Sequence, residues 1–308
     1  MTGPGRAAAD TATRAPVLRL LREAKVADLL AGAAEGADRF EASGVLAYGG
    51  WLWVIFDNVP HVARIDPALV GGDPRAMLVR RPGEATGYED IAHDPVDGRF
   101  FLLVEAVRHH SGGYLAQVQE NDAELRPVAT RWLDFPLDRP NKGLEGLSCV
   151  RRDGRTHLLA LCEGNRCRGG EAGRRPGGGR VHVFAEAPGR WERVHTIRLP
   201  ESLRFVDYGS ISVSGDRIAV VSQESSALWV GRFAPSGWDL LDDGTTYAFP
   251  PDPRGRIVYG TVEGVSWLAD DQVAVVSDRA KPDQPARFRA EDESVHVFAL
   301  PAPGGGGW

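Results

Sequence analysis

The sequence predicts an all-β chain folded as a five-bladed β-propeller. One grammar of residues recurs five times, each recurrence reads as short strands separated by turn residues, and the last recurrence is one strand short of the others. A period of this length marks a repeat architecture in which each unit buries its apolar face against the next. With 37 Gly and 21 Pro among 308 residues, 43% of them apolar and 25% charged, the chain has the makeup of a turn-rich globular protein.

The repeated segments are SGVLAYGGWLWVIFDN from Ser43, EDIAHDPVDGRFFLLVEA from Glu89, EGLSCVRRDGRTHLLALCEGN from Glu145, GSISVSGDRIAVVSQES from Gly209 and EGVSWLADDQVAVVSDR from Glu263. Their starts lie 46, 56, 64 and 54 residues apart. In each, a polar or small pair precedes an apolar run, a turn such as Asp97-Gly98, Asp153-Gly154 or Gly215-Asp216 follows, and a second apolar run ends on a polar residue. That pattern is a hairpin. A third and fourth run complete the unit: YLAQVQE and ATRWLDFPL in the second, RVHVFAEA and RWERVHTIRL in the third, ALWVGRFA and WDLLDDGTTYAF in the fourth. Four strands per unit is the blade of a propeller.

The fifth unit reaches its third strand at SVHVFAL and then ends, whereas APVLRLLREAKV, residues 15–26, precedes the first hairpin and belongs to no unit. The N-terminal segment is therefore expected to close the last blade as its outer strand and remove the exposed edge. An amphipathic helix over VLRLLREAKVADLL is the alternative, because Leu, Arg, Glu and Ala favour helix. Six blades is the alternative if the long first segment hides a further unit. A doubly wound α/β fold is disfavoured, since no helical period separates the strand pairs. The expected organisation is a tail at 1–14, one propeller domain at 15–300 and a tail at 301–308.

Forty-two acidic against 36 basic residues give a net charge of −6, which argues against nucleic acid and anionic membrane as partners. No apolar h-region opens the chain and no stretch of 18 apolar residues occurs. A cytoplasmic protein is expected, with Cys149, Cys162 and Cys167 as reduced thiols, for no C-x-x-C or zinc-finger spacing is present.

Residues just before the first run and just after the second are expected to crowd one mouth of the channel. They are Ser43, Glu89 with Asp90, Glu145, Gly209 and Glu263, then Asp57 with Asn58, Glu105, Glu163 with Asn165, Gln223 with Glu224, and Asp278 with Arg279. Converging carboxylates raise one another's pKa. Protonation, neighbouring cations or a hard metal ion would relieve them, and an oxygen-only set suits Ca²⁺ or Mg²⁺. Arginine and lysine pairing, through Lys142, Arg166, Arg279 and Arg108, is the competing structural account. The stretch RCRGGEAGRRPGGGR, 166–180, reads as an insertion, either a flexible loop or a mobile lid.

The blade starts NKGLEGLS and YGTVEGVSW resemble those of the esterase-like, phytase-like propeller proteins and, more distantly, the Glu-Gly openings of calcium-binding gluconolactonase propellers. The resemblance implies a metal-assisted hydrolase site with Glu145 and Glu263 as ligands. Ser43 and Gly209 depart from it at two blade starts. The expected reaction is hydrolysis of an ester, lactone or phosphoester at the mouth, with Glu89 as general base and His109 as a second base or ligand. Asp57 and Asp278 complete the metal set, with Ca²⁺ the expected ion, and Lys142, Asn165, Arg166 and Arg279 are expected to meet a small-molecule substrate. The alternative is a non-catalytic propeller that binds a small molecule or a protein. His182 and His296, in the repeated VHVFA strands, read as structural. Ser148, Ser210, Ser212 and Ser266 lack a nucleophile elbow, so a serine triad is not supported.

Overall fold

The protein is described by a computed structural model over residues 15–31, 33, 39–80, 87–139 and 143–301. The chain opens with strand β1 (Arg19–Lys25) and one helical turn, α1 (Val26–Leu29). Four-stranded antiparallel meanders follow: β2 (Ala42–Tyr48), β3 (Trp51–Phe56), β4 (His61–Ile65) and β5 (Met77–Arg80); then β6 (Tyr88–Asp94), β7 (Arg99–Arg108), β8 (Tyr114–Asn121) and β9 (Pro127–Asp134). Next come β10 (Leu144–Arg152), β11 (Arg155–Cys162), β12 (Arg180–Ala187) and β13 (Arg190–Arg198), with the short helix α2 (Gly170–Gly173) between the second and third of these. The rest are β14 (Ser210–Ser214), β15 (Arg217–Ser222), β16 (Ala227–Arg232) and β17 (Thr245–Ala248), then β18 (Val262–Ala269), β19 (Gln272–Ser277) and β20 (Ser294–Ala299). The strands lie in four sheets, because β9 and β13 pair in parallel from Arg190↔Trp132 to Glu192↔Asp134 and fuse two meanders into one eight-stranded sheet. The architecture is all-β and propeller-like.

The N-terminal segment closes the last sheet as expected from the missing strand. β1 lies antiparallel on β20, from Arg19↔Ala299 to Lys25↔Ser294, making the order β1-β20-β19-β18. Just upstream, the Leu18 amide donates to Ala248 O and the Ala248 amide to Pro16 O, so the same segment also laces the outer strand of the preceding meander. The helical reading of this stretch survives only in α1, whose Val26 and Leu29 are buried with Leu30 against Phe40, Phe56, Val295 and Val297. Pairing with an otherwise open edge strand outweighs intrinsic helix propensity upstream.

The innermost strands neighbour one another in the cycle β2, β6, β10, β14, β18 and back to β2. Each is the first strand of its meander and has no ladder partner on the channel side, so its outward backbone groups need other partners. Side chains supply one at every seam. Ser43 Oγ donates to Tyr88 O at 2.5 Å; the Leu147 amide donates to Asp90 Oδ2 at 2.9 Å; the Val213 amide donates to Ser148 Oγ at 3.1 Å. Val265 and Trp267 amides donate to Ser210 Oγ and Ser212 Oγ, each at 3.2 Å, and the Ala47 amide donates to Ser266 Oγ at 2.9 Å. The serines set aside as poor nucleophiles are thus the stitches of the ring.

Asp90 occupies the waist of the channel and is 1% exposed. It accepts from the Leu147 amide and from Ser210 Oγ at 2.8 Å through one oxygen and from its neighbour Ile91 through the other. Burial pushes its pKa up to about 8 against the pull of these hydrogen bonds. The small residues at the equivalent positions make room for it: a Cβ on Gly44 would lie 2.8 Å from Asp90 Oδ1, and one on Gly264 would lie 2.9 Å from the Gly44 Cα. The glycine of the Glu-Gly blade start is therefore a packing requirement of the waist.

The expectation of three reduced thiols is overturned, since Cys162 and Cys167 form a disulfide and only Cys149 is free. Arg166 (φ 57°) and Cys167 (φ 55°) are both left-handed, and that tight turn folds Cys167 back onto the end of β11. A C-x₄-C spacing carries no redox signature of its own in a sequence. Burial pushes the Cys149 thiol up to about 12. Among the described residues, no helix is long and apolar enough to cross a membrane.

Asp90→Ala should strand the buried Leu147 amide, remove one partner of Ser210 and open a cavity at the waist, costing about 2–4 kcal/mol of folding stability. Urea unfolding of the variant checks this, and a loss below about 0.5 kcal/mol would show that the waist is not built on Asp90.

Candidate functional site

At one end of the channel lies an open cavity of about 900 Å³, lined by Asp57, Glu89, Glu105, Glu145, Glu263 and Asp278, with Arg39, Glu41, Arg279, Lys281, Arg289 and Glu293 among its other walls. A smaller recess of about 70 Å³ continues from it past Ser43, Glu163, Asp207, Tyr208 and Gln223. Three of the five inner strands carry an acidic residue at their second position, Glu89 on β6, Glu145 on β10 and Glu263 on β18. The next residue along packs into the waist, and strand alternation turns these carboxylates away from it. Glu105 lies within β7, and Asp57 and Asp278 directly follow β3 and β19. Three strand starts and three residues at or near strand exits thus line one cavity.

The carboxylates oppose one another. Burial, then the charges of Glu145, Glu105 and Glu263, hold Glu89 well above the usual carboxylate range, and its side chain hydrogen-bonds that of Glu145. Glu263 is held well above its usual value by burial and then by Asp278 and Glu145, with Lys281 opposing. It accepts a hydrogen bond from Gln223 Nε2 at 2.8 Å. Asp278 is pushed up to about 6 by burial, with Asp57 adding to the rise. Asp57 is raised by burial, against Lys281 and Arg39. Asp278 is 9% exposed, and its Oδ1 is buried without a hydrogen-bond partner.

Of the residues expected here, Glu89, Glu145, Glu263, Asp57, Asp278 and Arg279 line the cavity. Lys142 lies outside the described residues. Asn165 is a correction: it is wholly buried and its amide is spent on the fold, donating to Gly173 O at 2.8 Å and Phe205 O at 3.1 Å and accepting from the Gly178 amide and Tyr208 hydroxyl. A substrate has no access to it. Arg166 is exposed on the left-handed turn beside it and lines neither cavity. His109 is also displaced, because β7 runs three residues past Glu105 and carries it outward. Its ring meets Trp132 of β9 edge-on at 4.8 Å, and its Nδ1 lies 2.6 Å from Ser111 Oγ.

The insertion at 166–180, expected as a flexible loop or a mobile lid, is a packed element. A Cβ on Gly164 or Gly173 would fall 2.1 or 1.9 Å from Arg168 O, and Arg174 ion-pairs with Glu224. His182 and His296 are buried and hydrogen-bonded, His296 Nδ1 to Glu23 Oε2 at 3.1 Å and Nε2 to Ser277 Oγ at 3.0 Å. Among the described residues, the groups of three whose ligand atoms lie within 4.8 Å of one another are Glu23, Glu291, His296 and Cys162, Cys167, His182. Neither contains a predicted mouth ligand. The sequence reading missed the rim loop after β19, which brings Lys281, Arg289 and Glu293 over the mouth; its dense alternation of charge, DRAKPDQPARFRAEDE, was the available signal.

No protein-family model matches the sequence, and no curated protein matches it. Among solved structures, the glutaminyl cyclase of Myxococcus xanthus is similar over 92% of this chain and 97% of its own, at 12% identity and a TM-score of 0.55. A luciferin-regenerating enzyme is similar over 92% and 96%, at 11% identity and a TM-score of 0.50. The PQQ-bound aldose sugar dehydrogenase of Streptomyces coelicolor covers the same 92% of this chain at a TM-score of 0.44. The first two of these are β-propeller proteins, and at such identity their likeness establishes the fold alone. The esterase-like and phytase-like resemblance rests on the blade-start residues.

The raised carboxyls set a sign for pH. An acid whose folded pKa exceeds its unfolded value holds its proton more tightly when folded, so stability falls as pH rises from about 4, the unfolded value, through about 6 for Asp278. His93, His157, His182 and His296, held below their ordinary value by burial, act in the opposite sense over the same range. The carboxyl is therefore read by difference: in metal-free buffer wild type should lose more, or gain less, stability than Asp278→Asn between pH 5 and pH 7. Identical pH dependence of the two melting temperatures in calorimetry would contradict the assignment.

Proposed function

We propose that the five meanders are the blades of one five-bladed propeller and that its acid-lined mouth is the active site of a metal-assisted hydrolase. The cyclic order of the inner strands supports the blade count. The observation that carries the functional reading is Asp278 Oδ1, a buried carboxylate oxygen with no partner, set against Glu263 and Asp57 on the wall of a large open cavity. Leaving such an oxygen unsatisfied is costly. A hard divalent cation, Ca²⁺ by the all-oxygen donor set, satisfies it and lets the neighbouring acids ionise.

In this reading Asp278, Glu263, Asp57 and Glu145 would turn inward to hold the ion, since as they stand no three of them bring ligand atoms within 4.8 Å of one another. The bound ion supplies Lewis acidity toward an ester, lactone or phosphoester oxygen. Glu89 takes a proton from the attacking water, a role suited to a carboxyl whose pKa burial and the neighbouring Glu145 hold above the usual range. Arg279 and Lys281 on the rim meet the negative part of a small-molecule substrate. The proton that Glu89 and Glu145 share without the ion leaves when the ion's charge replaces it. The disulfide favours an oxidising compartment over the cytoplasm expected from the lack of an apolar h-region.

The test is a panel of ester, lactone and phosphoester substrates assayed with metal-stripped protein, with and without Ca²⁺, Mg²⁺ or Mn²⁺. Turnover should require an ion. Asp278→Asn and Glu263→Gln should weaken ion binding, whereas Glu89→Gln should keep it and lose about 10²–10⁴-fold in turnover. Ion binding with no turnover on any class would favour a non-catalytic binding propeller, and no ion binding at all would end the reading.

A further inference from the structure

Away from the mouth ligands, the end of β11 meets the turn that follows it. Cys162, fully buried, is bonded to Cys167, which is partly exposed and lines a separate cavity of about 340 Å³ together with Asp138, Arg139, Glu163 and Arg168. His182 of β12 reaches the same point: its Nε2 lies 3.2 Å from Cys167 Sγ and its Nδ1 2.9 Å from Thr196 Oγ1 on β13. The ring of Phe135 covers it at 4.1 Å. The tautomer that donates Nδ1–H to Thr196 leaves the Nε2 lone pair directed at the sulfur, the orientation a metal ligand requires.

The internal repeat makes this corner unusual. In the last meander the corresponding residues are Ser277, ending β19, and His296, each histidine pairing with the residue two before the end of the preceding strand. There the serine hydroxyl satisfies the histidine directly. In the third meander the serine is replaced by Cys162, and a second sulfur stands between it and the imidazole. Two sulfurs and an imidazole nitrogen within 4.8 Å of one another form a soft donor set, unlike the oxygen set of the mouth, and one side of it opens to a cavity lined by the carboxylates Asp138 and Glu163 and the arginines Arg139 and Arg168.

We propose that Cys162, Cys167 and His182 form a redox-gated zinc site: closed as the disulfide and, once reduced, a three-ligand centre for Zn²⁺ with its fourth position facing the cavity beside Glu163 and Asp138. Opening takes two electrons and two protons from a dithiol, which leaves as its own cyclic disulfide while Cys162 and Cys167 become thiols. Attack falls on Cys167, the partly exposed cysteine of the pair, since Cys162 is fully buried. When the ion binds, both thiol protons are released and two thiolates balance its charge, with neutral His182 as third ligand. Thiolate and imidazole donors select Zn²⁺ over Ca²⁺ and Mg²⁺, so this site is independent of the one at the mouth.

The test uses the full chain carrying Cys149→Ala, so that the only thiols are those of the pair. Oxidised protein given Co²⁺ as a zinc substitute should show no thiolate-to-cobalt charge-transfer band. After reduction by a dithiol and anaerobic desalting it should bind one Co²⁺ per chain with that band, lose it to added Zn²⁺, and have both thiols protected from alkylation. His182→Gln should lower affinity at least tenfold. The proposal is overturned if the reduced, folded protein shows no band, if His182→Gln leaves the band and affinity unchanged, or if the dithiol fails to release two thiols. Loss of near-ultraviolet circular dichroism on reduction also overturns it, because the disulfide would then be a structural clamp.

Discussion

Inner strands of a closed ring pair on one side only, and the backbone groups they turn toward one another have to be satisfied by something other than a ladder. Here side-chain oxygens do that at every seam, and Asp90 joins three of the five strands by itself, being carried on β6 and accepting from β10 and β14. The waist can close around that carboxylate only if its neighbours are small, which explains Gly44 and Gly264. Placement of the mouth follows from this. Once the second residue of each polar-small pair is drawn into the waist, the first is turned to the cavity, and the three glutamates of β6, β10 and β18 converge whether or not they find partners.

The convergence is unfavourable in itself. Glu89, Glu263, Asp278 and Asp57 are all raised by burial, and all except Asp57 are raised further by neighbouring carboxylates. A protein selected only for stability would replace some of them with amides or bury them against arginines, as it does elsewhere. Glu120, equally acidic, is held in the fold by Arg99, Arg131 and the indole of Trp191. The contrast between the two kinds of acid separates a structural carboxylate from one kept in a costly state at a cavity, which is where perturbed groups mark function.

Much of this was legible in the residue pattern. The five hairpins, their turns and the closing N-terminal strand follow from period-2 alternation and from counting strands, and the acidic mouth follows from asking where equivalent positions must converge. What was not legible depended on single contacts. Asn165 and His109 sit at strand exits like the true mouth residues, but the tandem left-handed turn at Arg166 and Cys167 buries the first and the three-residue overrun of β7 displaces the second. Asp90 and Glu89 are adjacent and equally acidic, and only the pleat assigns one to the waist and the other to the cavity. The disulfide was hidden because its loop is closed by backbone conformation, which no cysteine spacing encodes.

The central claim is that protons now held by crowded carboxylates at the mouth stand where a divalent ion binds. Isothermal titration of Ca²⁺ into metal-stripped protein, repeated in buffers of different ionisation enthalpy, counts the protons released per ion bound. The account predicts one 1:1 event that releases protons at pH 6 and fewer at pH 8, with the release reduced in Asp278→Asn. Binding with no proton release at pH 6, or no binding heat for any divalent ion, would contradict it.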